Sequence, residues 1–177
     1  MTGGPVAVVA GRSCNSCTLC CKVIGVPELA KPQGHDCIHC DIGRGCNIYD
    51  RRPEVCAEFH CSYLLSPALG EEWKPGTCHL VLGYMAEADV ILIYTDPDRP
   101  GAWRREPYLA RIKKWAATTD TGYVLIWEKG RVLALLGGDE FDLGDLRADQ
   151  VIVRDTTGGR ATVYAVHKDV ADRDRGT

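Results

Sequence analysis

Cysteine is the residue whose type and spacing in this chain could do chemistry. Of the ten cysteines, nine lie between positions 14 and 61. They are Cys14, Cys17, Cys20, Cys21, Cys37, Cys40, Cys46, Cys56 and Cys61. Thiols at this density bind soft or borderline metals, pair as disulfides or carry out redox reactions. We interpret them as metal ligands.

The spacing between neighbouring cysteines supports metal binding. Cysteines separated by two residues can place two thiolates on one ion, because the chain turns back between them. This spacing occurs at Cys14/Cys17, at Cys17/Cys20 and at Cys37/Cys40. Three cysteines in such a series are also typical of chains that wrap an iron–sulfur cluster. The ligand type therefore favours zinc or an iron–sulfur cluster, and the number of thiols allows one site or two.

The cellular compartment decides between metal ligands and disulfides. The apolar run at residues 6–10 is short and has no preceding Lys or Arg, unlike a signal peptide. No apolar run approaches the roughly 18 residues that span a bilayer. We therefore expect a cytoplasmic protein without a membrane segment, in which thiols stay reduced and a disulfide framework is disfavoured. Cys78 stands apart from the cluster and is expected to be an inert buried thiol.

Histidines beside the cysteines are secondary ligand candidates. His35, His39 and His60 each lie within two residues of a cysteine, and a neutral imidazole nitrogen can bind metal. His79 and His167 lie elsewhere and are expected to be ordinary surface or packed residues.

A second motif follows the first group of cysteines. It reads Gly-Cys-x-x-Tyr-x-x-Arg-Pro-x-x-Cys-x-x-Phe, with the residues Gly45, Cys46, Tyr49, Arg52, Pro53, Cys56 and Phe59. Together with the series from Cys14 to Cys21 and the separate Cys37, this pattern resembles the YkgJ-like cysteine cluster family, described as zinc- or iron-chelating proteins. The resemblance covers residues 14–59. It implies a ligand set of Cys14, Cys17, Cys20, Cys21, Cys37, Cys46 and Cys56, and it leaves Cys40 and Cys61 outside the pattern.

Other residues of this motif have physical explanations of their own. Gly45 allows a positive φ or a close approach of the backbone to a ligand. Arg52 has two interpretations of equal weight. It donates hydrogen bonds to thiolates and offsets their charge, or it forms a surface salt bridge with Glu54 or Glu58. The aromatic residues of the motif are expected to shield the metal from water.

The secondary structure of the cysteine region is expected to be mostly irregular. Spacings of three and four predict a helical turn or two within residues 14–22. Residues 34–45 should form a loop. Pro53 suits the first turn of a helix, so a helix is predicted over residues 53–65, ending before Pro67.

The second half of the chain predicts a sheet with one long helix. Strands are expected at residues 90–94, at 122–128 and 131–136 around a turn at Lys129-Gly130, and at 151–153 and 161–167. Residues 103–118 predict an amphipathic helix, and the acidic stretch 139–145 a polar loop. The fold class is thus α+β, an irregular cysteine-rich metal-binding region packed with a small antiparallel sheet and one long helix. The expected organisation is a flexible N-terminus at 1–13, the metal-binding region at 14–79, the α+β part at 80–170 and a tail at 171–177.

These features predict a metal-binding protein whose C-terminal part contacts a protein partner. An iron–sulfur redox enzyme or electron carrier is the first alternative, and a zinc-stapled nucleic-acid-binding module is the second. The net charge of −3 argues against a nucleic-acid partner. The basic residues that neighbour Trp103 and Trp115 are better explained as the solvated face of an amphipathic helix. They are Arg99, Arg104, Arg105, Arg111, Lys113 and Lys114.

Overall fold

The computed structural model describes residues 7–14, 16–169 and 171. These residues form an α+β fold with one five-stranded sheet and two sheets of two strands, which confirms the predicted class. In the apolar run at residues 6–10, residues 7–10 form no strand, and residue 6 lies outside the described residues. Residues 172–177 of the predicted tail also lie outside them. Within the described part of the chain, no helix has both the length and the apolar character that crossing a membrane requires.

Within the residues that the structure describes, five α-helices and nine strands make up this architecture. The helices are α1 (Leu19–Val23), α2 (Glu54–Glu58), α3 (Ser62–Leu65), α4 (Pro75–Cys78) and α5 (Tyr108–Ala116). The strands are β1 (Cys40–Asp41), β2 (Gly45–Cys46), β3 (Leu80–Met85), β4 (Val90–Thr95), β5 (Tyr123–Glu128), β6 (Arg131–Leu136), β7 (Asp139–Gly144), β8 (Gln150–Asp155) and β9 (Thr162–His167). Single 3-10 turns occur at Pro27–Leu29, Tyr49–Arg51, Glu71–Trp73, Ala86–Ala88 and Ala102–Arg104.

The main sheet is mixed, which corrects the predicted antiparallel sheet. Its order is β3-β4-β5-β6-β7, and β4 pairs with β5 in parallel while the other pairs are antiparallel. The physical reason is the long connection that carries α5 from the end of β4 back to the start of β5. The uninterrupted apolar run of β4 is typical of a strand that is covered on both faces.

The predicted hairpin around Lys129 and Gly130 is confirmed. β5 pairs with β6 from Glu128↔Arg131 onward. Lys129 and Gly130 have φ values of 51° and 74°. Positive φ at both central residues is the geometry of the two-residue turn that matches strand twist. The predicted pairing of residues 151–153 with 161–167 is also confirmed, as β8 with β9.

Four predicted elements differ from the structure. The helix predicted over residues 53–65 is interrupted, and α2 and α3 are separated by residues 59–61. The long helix at 103–118 is α-helical only over Tyr108–Ala116, and the first turn predicted at 14–22 begins at Leu19. The acidic stretch predicted as a loop forms β7, because Phe141 and Leu143 pack against a hydrophobic cluster under the sheet.

One hydrophobic core joins the cysteine region to the sheet. Its largest fully buried side chains include Trp103, Ile93 and Ile126. The same cluster contains Val23 from α1 and Leu64 from α3. The cysteine region is therefore held on one side by the sheet, and the packing of α1 and α3 sets where its thiols lie.

The centre of β5 should be the most sensitive part of this core. Ile126 is 0% exposed and packs in the main cluster. We expect Ile126→Ala to lower the free energy of unfolding by about 3 kcal/mol, since it leaves a cavity that the sheet cannot close. Urea denaturation would measure this change. The control Thr162→Ala, on an exposed position of β9, should change stability by less than about 0.5 kcal/mol. Equal stability of the two variants would contradict the packing described.

Candidate metal centre

Seven cysteines face one cavity in the cysteine region. The cavity has a volume of about 710 Å³. Its lining contains Cys14, Cys17, Cys20, Cys21, Cys37, Cys46 and Cys56. These are the positions that the motif resemblance implies as ligands. The fold brings them together from four separate stretches of chain, and all ten cysteines of the protein are free thiols.

The two cysteines outside the motif also lie near this group. A second, small void of about 20 Å³ adjoins the cavity, and Cys61 lines it. Cys40 lines neither space, but its thiol is hydrogen-bonded to the thiol of Cys21. All nine cysteines of the cluster are thus close to one another.

Tight turns set the direction of the paired cysteines. The backbone N–H of Cys17 donates to the carbonyl of Cys14 at 2.7 Å. The N–H of Cys40 donates in the same way to Cys37 at 2.9 Å. Each turn reverses the chain between two cysteines, which is how two-residue spacing brings thiols to a common point.

A small hairpin, formed by β1 and β2, carries the central cysteines. Cys40 pairs directly with Cys46 across it. Gly45 has a φ of 141°, which confirms that this position needs the freedom of glycine. The loop of the hairpin is tied to the first group of cysteines, because the N–H of Gly43 donates to Thr18 Oγ1 at 3.2 Å.

The thiols of Cys20 and Cys21 interact although they are neighbours in sequence. The hydrogen bond that the Cys21 thiol donates to Cys20, together with burial, raises the pKa of Cys21. Burial, together with Cys21, raises the pKa of Cys40 to about 12. Burial also raises the pKa of Cys14 and of Cys56. In the metal-free protein these thiols are therefore protonated at neutral pH.

Arg52 lies against the cavity with one donor free. Its guanidinium stacks 3.7 Å from the centre of the Tyr49 ring, and Nη1 donates to the Tyr49 carbonyl at 3.0 Å. Its Nε is buried without a hydrogen-bond partner. Its charge opposes the rise in the pKa of Cys14. Among the described residues, the contacts of Arg52 are with Tyr49, and no salt bridge joins it to Glu54 or Glu58.

Lys31 is a second cation near the thiols, and sequence reasoning missed it. The residue is only 8% exposed. Its Nζ donates to the carbonyls of Lys22 at 2.8 Å and Pro32 at 3.3 Å, and also to that of Ile24. Its charge interacts with Cys21, Cys37 and Cys56, while burial lowers its pKa. Nothing in the local sequence distinguishes this lysine from a solvated one.

Arg12 fixes the segment that leads into Cys14. Its guanidinium donates to the carbonyls of Ser66, at 2.8 Å, and of Tyr63 and Leu69. It also stacks over the Tyr63 ring at 4.3 Å. The start of the cysteine region is thereby attached to the end of α3.

The histidines and Cys78 differ in whether they lie at the cavity. Of the three histidines considered as ligands, His60 lines the cavity, whereas the lining does not include His35 or His39. His79 pairs with Asp96 at 3.2 Å, and His167 pairs with Asp149 at 3.1 Å. Cys78 is 1% exposed and donates to the carbonyls of Trp73 and Leu80, which confirms it as a buried thiol.

The thiols face a common space without being arranged around a point. In the part of the chain that the structure describes, no three His, Cys, Asp or Glu side chains form a ready-made metal site. Metal binding would therefore require the cysteine side chains to rotate inward. Comparison with family models, curated proteins and solved structures finds no match to this chain, so the resemblance to the YkgJ-like family rests on its motif residues alone.

Proposed function

We propose that this protein binds zinc or an iron–sulfur cluster through the cysteines of its large cavity. The observation that carries the proposal is the lining of that cavity, where seven thiols from separate segments meet. The packing of a hydrophobic core does not require seven cysteines to line one cavity. Thiolate ligands select zinc, copper(I) and iron–sulfur clusters over magnesium or calcium.

The charges around the cavity support thiolate binding. Four thiolates on one Zn²⁺ leave a net charge of −2, which a partly buried site must offset. The guanidinium of Arg52 and the ammonium of Lys31 are both close enough to interact with cysteines. The unpaired Nε of Arg52 is a donor for which a thiolate would be the acceptor. The residues present therefore fit a bound metal centre.

The large cavity leaves room for either kind of centre. A zinc ion would supply a structural crosslink or a Lewis acid, whereas an iron–sulfur cluster would supply one-electron transfer. The chain itself orients the thiols through the turns at Cys14 and Cys37, and Phe59 and Leu64 contribute apolar walls to the cavity. The redox alternative therefore uses the same cysteines as the zinc site and differs in the metal that they would bind.

The nucleic-acid alternative finds less support. Trp103 is 0% exposed, so it has no free face on which a base could stack. Arg104 stacks on this tryptophan and is paired with Glu128 and Glu140. These contacts are typical of a packed amphipathic segment with its charges engaged within the protein.

Metal and sulfide analysis of protein purified without oxygen tests the proposal. Iron with acid-labile sulfide and a visible absorption band would identify a cluster. Zinc without visible absorption would identify zinc thiolate sites. Protein that contains neither metal and takes up neither zinc nor reconstituted iron and sulfide would contradict the proposal.

Arg52 should tune the affinity of the centre. We expect Arg52→Gln to weaken metal binding about 10-fold or more, because a donor and a positive charge beside the thiolates are lost. Competition with a chromophoric chelator would measure the dissociation constant. Arg51→Gln is a matched control, since Arg51 is the exposed neighbour and does not line the cavity. Equal weakening in both variants would show that general charge, rather than the position of Arg52, is responsible.

A further inference from the structure

Eight of the nine clustered cysteines line two adjoining spaces, and Cys14, Cys17 and Cys20 line both of them. The small void is lined by Cys14, Cys17, Cys20 and Cys61. Four cysteines line the large cavity alone, namely Cys21, Cys37, Cys46 and Cys56. We propose that the protein has two separate metal centres, and that at the small void Cys61 completes a set of four thiolates around one zinc ion. This inference rests on the proposed function and assigns Cys61 a role that the motif does not include.

The small void has room for one ion and is lined by thiols and apolar side chains. Its volume of about 20 Å³ compares with the roughly 10–15 Å³ that a single water molecule needs. Apart from the four cysteines, its lining consists of Phe59, Pro75 and Val81. A four-coordinate ion with four protein ligands is the arrangement found in structural zinc sites.

The interruption between α2 and α3 allows Cys61 to reach this void. In a continuous helix, residues five apart point about 140° away from each other. Cys56 and Cys61 have this separation, and Cys61 instead adopts an extended backbone with φ −67° and ψ 151°. Its side chain is buried at 9% exposure. The break therefore turns Cys61 toward one space and leaves Cys56 facing the other.

The electrostatic interactions of Cys61 and of Cys56 with other thiols follow the same division, and the hydrogen bond between Cys20 and Cys21 crosses it. The cysteines that interact with Cys61 are Cys14 and Cys17. The cysteines that interact with Cys56 are Cys21, Cys37 and Cys46. Cys14 also interacts with Cys21, so the two groups are adjacent. The division thus follows from the relative positions of the thiols as well as from the two spaces.

The two centres would differ in their surroundings. The centre at the small void lies against Val81 of β3 and Pro75 of α4, and so it would anchor the cysteine region to the sheet. The other faces the large cavity, whose lining includes Arg44 and Arg52. A closed thiolate site is suited to a structural ion, and a site that opens to a cavity is suited to exchange or reaction.

Zinc titration followed by native mass spectrometry tests this division. The probe is Zn²⁺ alone, added to reduced, metal-free protein without oxygen. We expect two ions per chain for the unmodified protein and one for each of Cys61→Ser and Cys56→Ser. The double variant should bind none. Cys78→Ser is the matched control for a serine at a buried cysteine, and it should still bind two ions.

Several results would overturn the inference. Two ions bound by Cys61→Ser would remove Cys61 from the ligand set and leave the proposed function intact. A single ion lost in both Cys61→Ser and Cys56→Ser would indicate one shared centre. If Cys61→Ser does not fold, Cys17→Ser at a half-buried position replaces it, and retention of both ions there overturns the inference. Failure of the unmodified protein to bind zinc or iron would instead count against the proposed function.

Discussion

Removal of the metal should loosen residues 14–65 while the five-stranded sheet stays folded. Metal binding contributes on the order of 10 kcal/mol to the folding of small zinc-dependent domains. We expect the amides of residues 14–65 to lose hydrogen-exchange protection when a chelator removes the metal under reducing conditions. The amides at the centre of β4 and β5 should keep theirs. Hydrogen-exchange mass spectrometry with and without chelator would measure both regions in one experiment.

The reason for this difference lies in how the two parts are stabilised. Helices α1, α2 and α3 have only five, five and four residues. Isolated helices of this length are unstable in water. The buried apolar side chains of this region are few, whereas β3 to β6 and α5 supply most of the core. A metal-depleted protein whose residues 14–65 remained as protected as before would contradict the prediction. Return of protection on adding metal back would be the control.

Metal affinity should rise steeply with pH. Each thiol must lose its proton to become a ligand, so a centre with four cysteines releases up to four protons. Affinity would then change by up to about 10⁴-fold per pH unit wherever all four thiols are protonated. Burial raises the pKa values of Cys14, Cys56 and Cys61, so the pH range over which metal affinity rises extends to higher pH.

The stability of the metal-free protein should fall as pH rises, whereas metal affinity should increase. A thiol whose pKa is raised by folding contributes stability below its ordinary pKa of 9.0, and this contribution is lost as pH rises through the raised value. For Cys40 that loss extends to about pH 12.

Calorimetric titrations with zinc in buffers of different ionisation enthalpy would count the protons released near neutral pH. Affinity that is equal at about pH 6 and about pH 8 would contradict thiolate binding.

Strands with strong local signals could be predicted, and strands that depend on tertiary packing could not. The apolar run of β4 and the Lys129-Gly130 turn identify their elements from neighbouring residues alone. In β7 the acidic residues suggest a loop, but they pair across the surface with arginines while Phe141 and Leu143 face the core. β3 contains Gly83, which weakens its pattern. Neither strand could be assigned without knowing what packs beside it.

The candidate site follows the same division between local and long-range information. Two-residue spacing, a local feature, identified Cys14, Cys17, Cys20 and Cys37 among the cysteines that line the large cavity. The motif resemblance added Cys21, Cys46 and Cys56. The position of Cys61 depends on the interruption after α2, where extended backbone replaces the helix predicted from Pro53 onward. Lys31 was missed because its burial depends on carbonyl groups from three different residues. Spacing alone contains no information on either placement.

The parallel pairing of β4 with β5 has a consequence for how the protein is made. The sheet on which the cysteine region packs cannot close until β5 has been synthesised, roughly 70 residues after Cys61. At the usual 5–20 residues per second, this interval lasts about 3–14 s. During that time the thiols have left the ribosome without the wall that Val81 and Pro75 later provide. Metal supply or protection from oxidants during synthesis therefore bears on the yield of loaded protein.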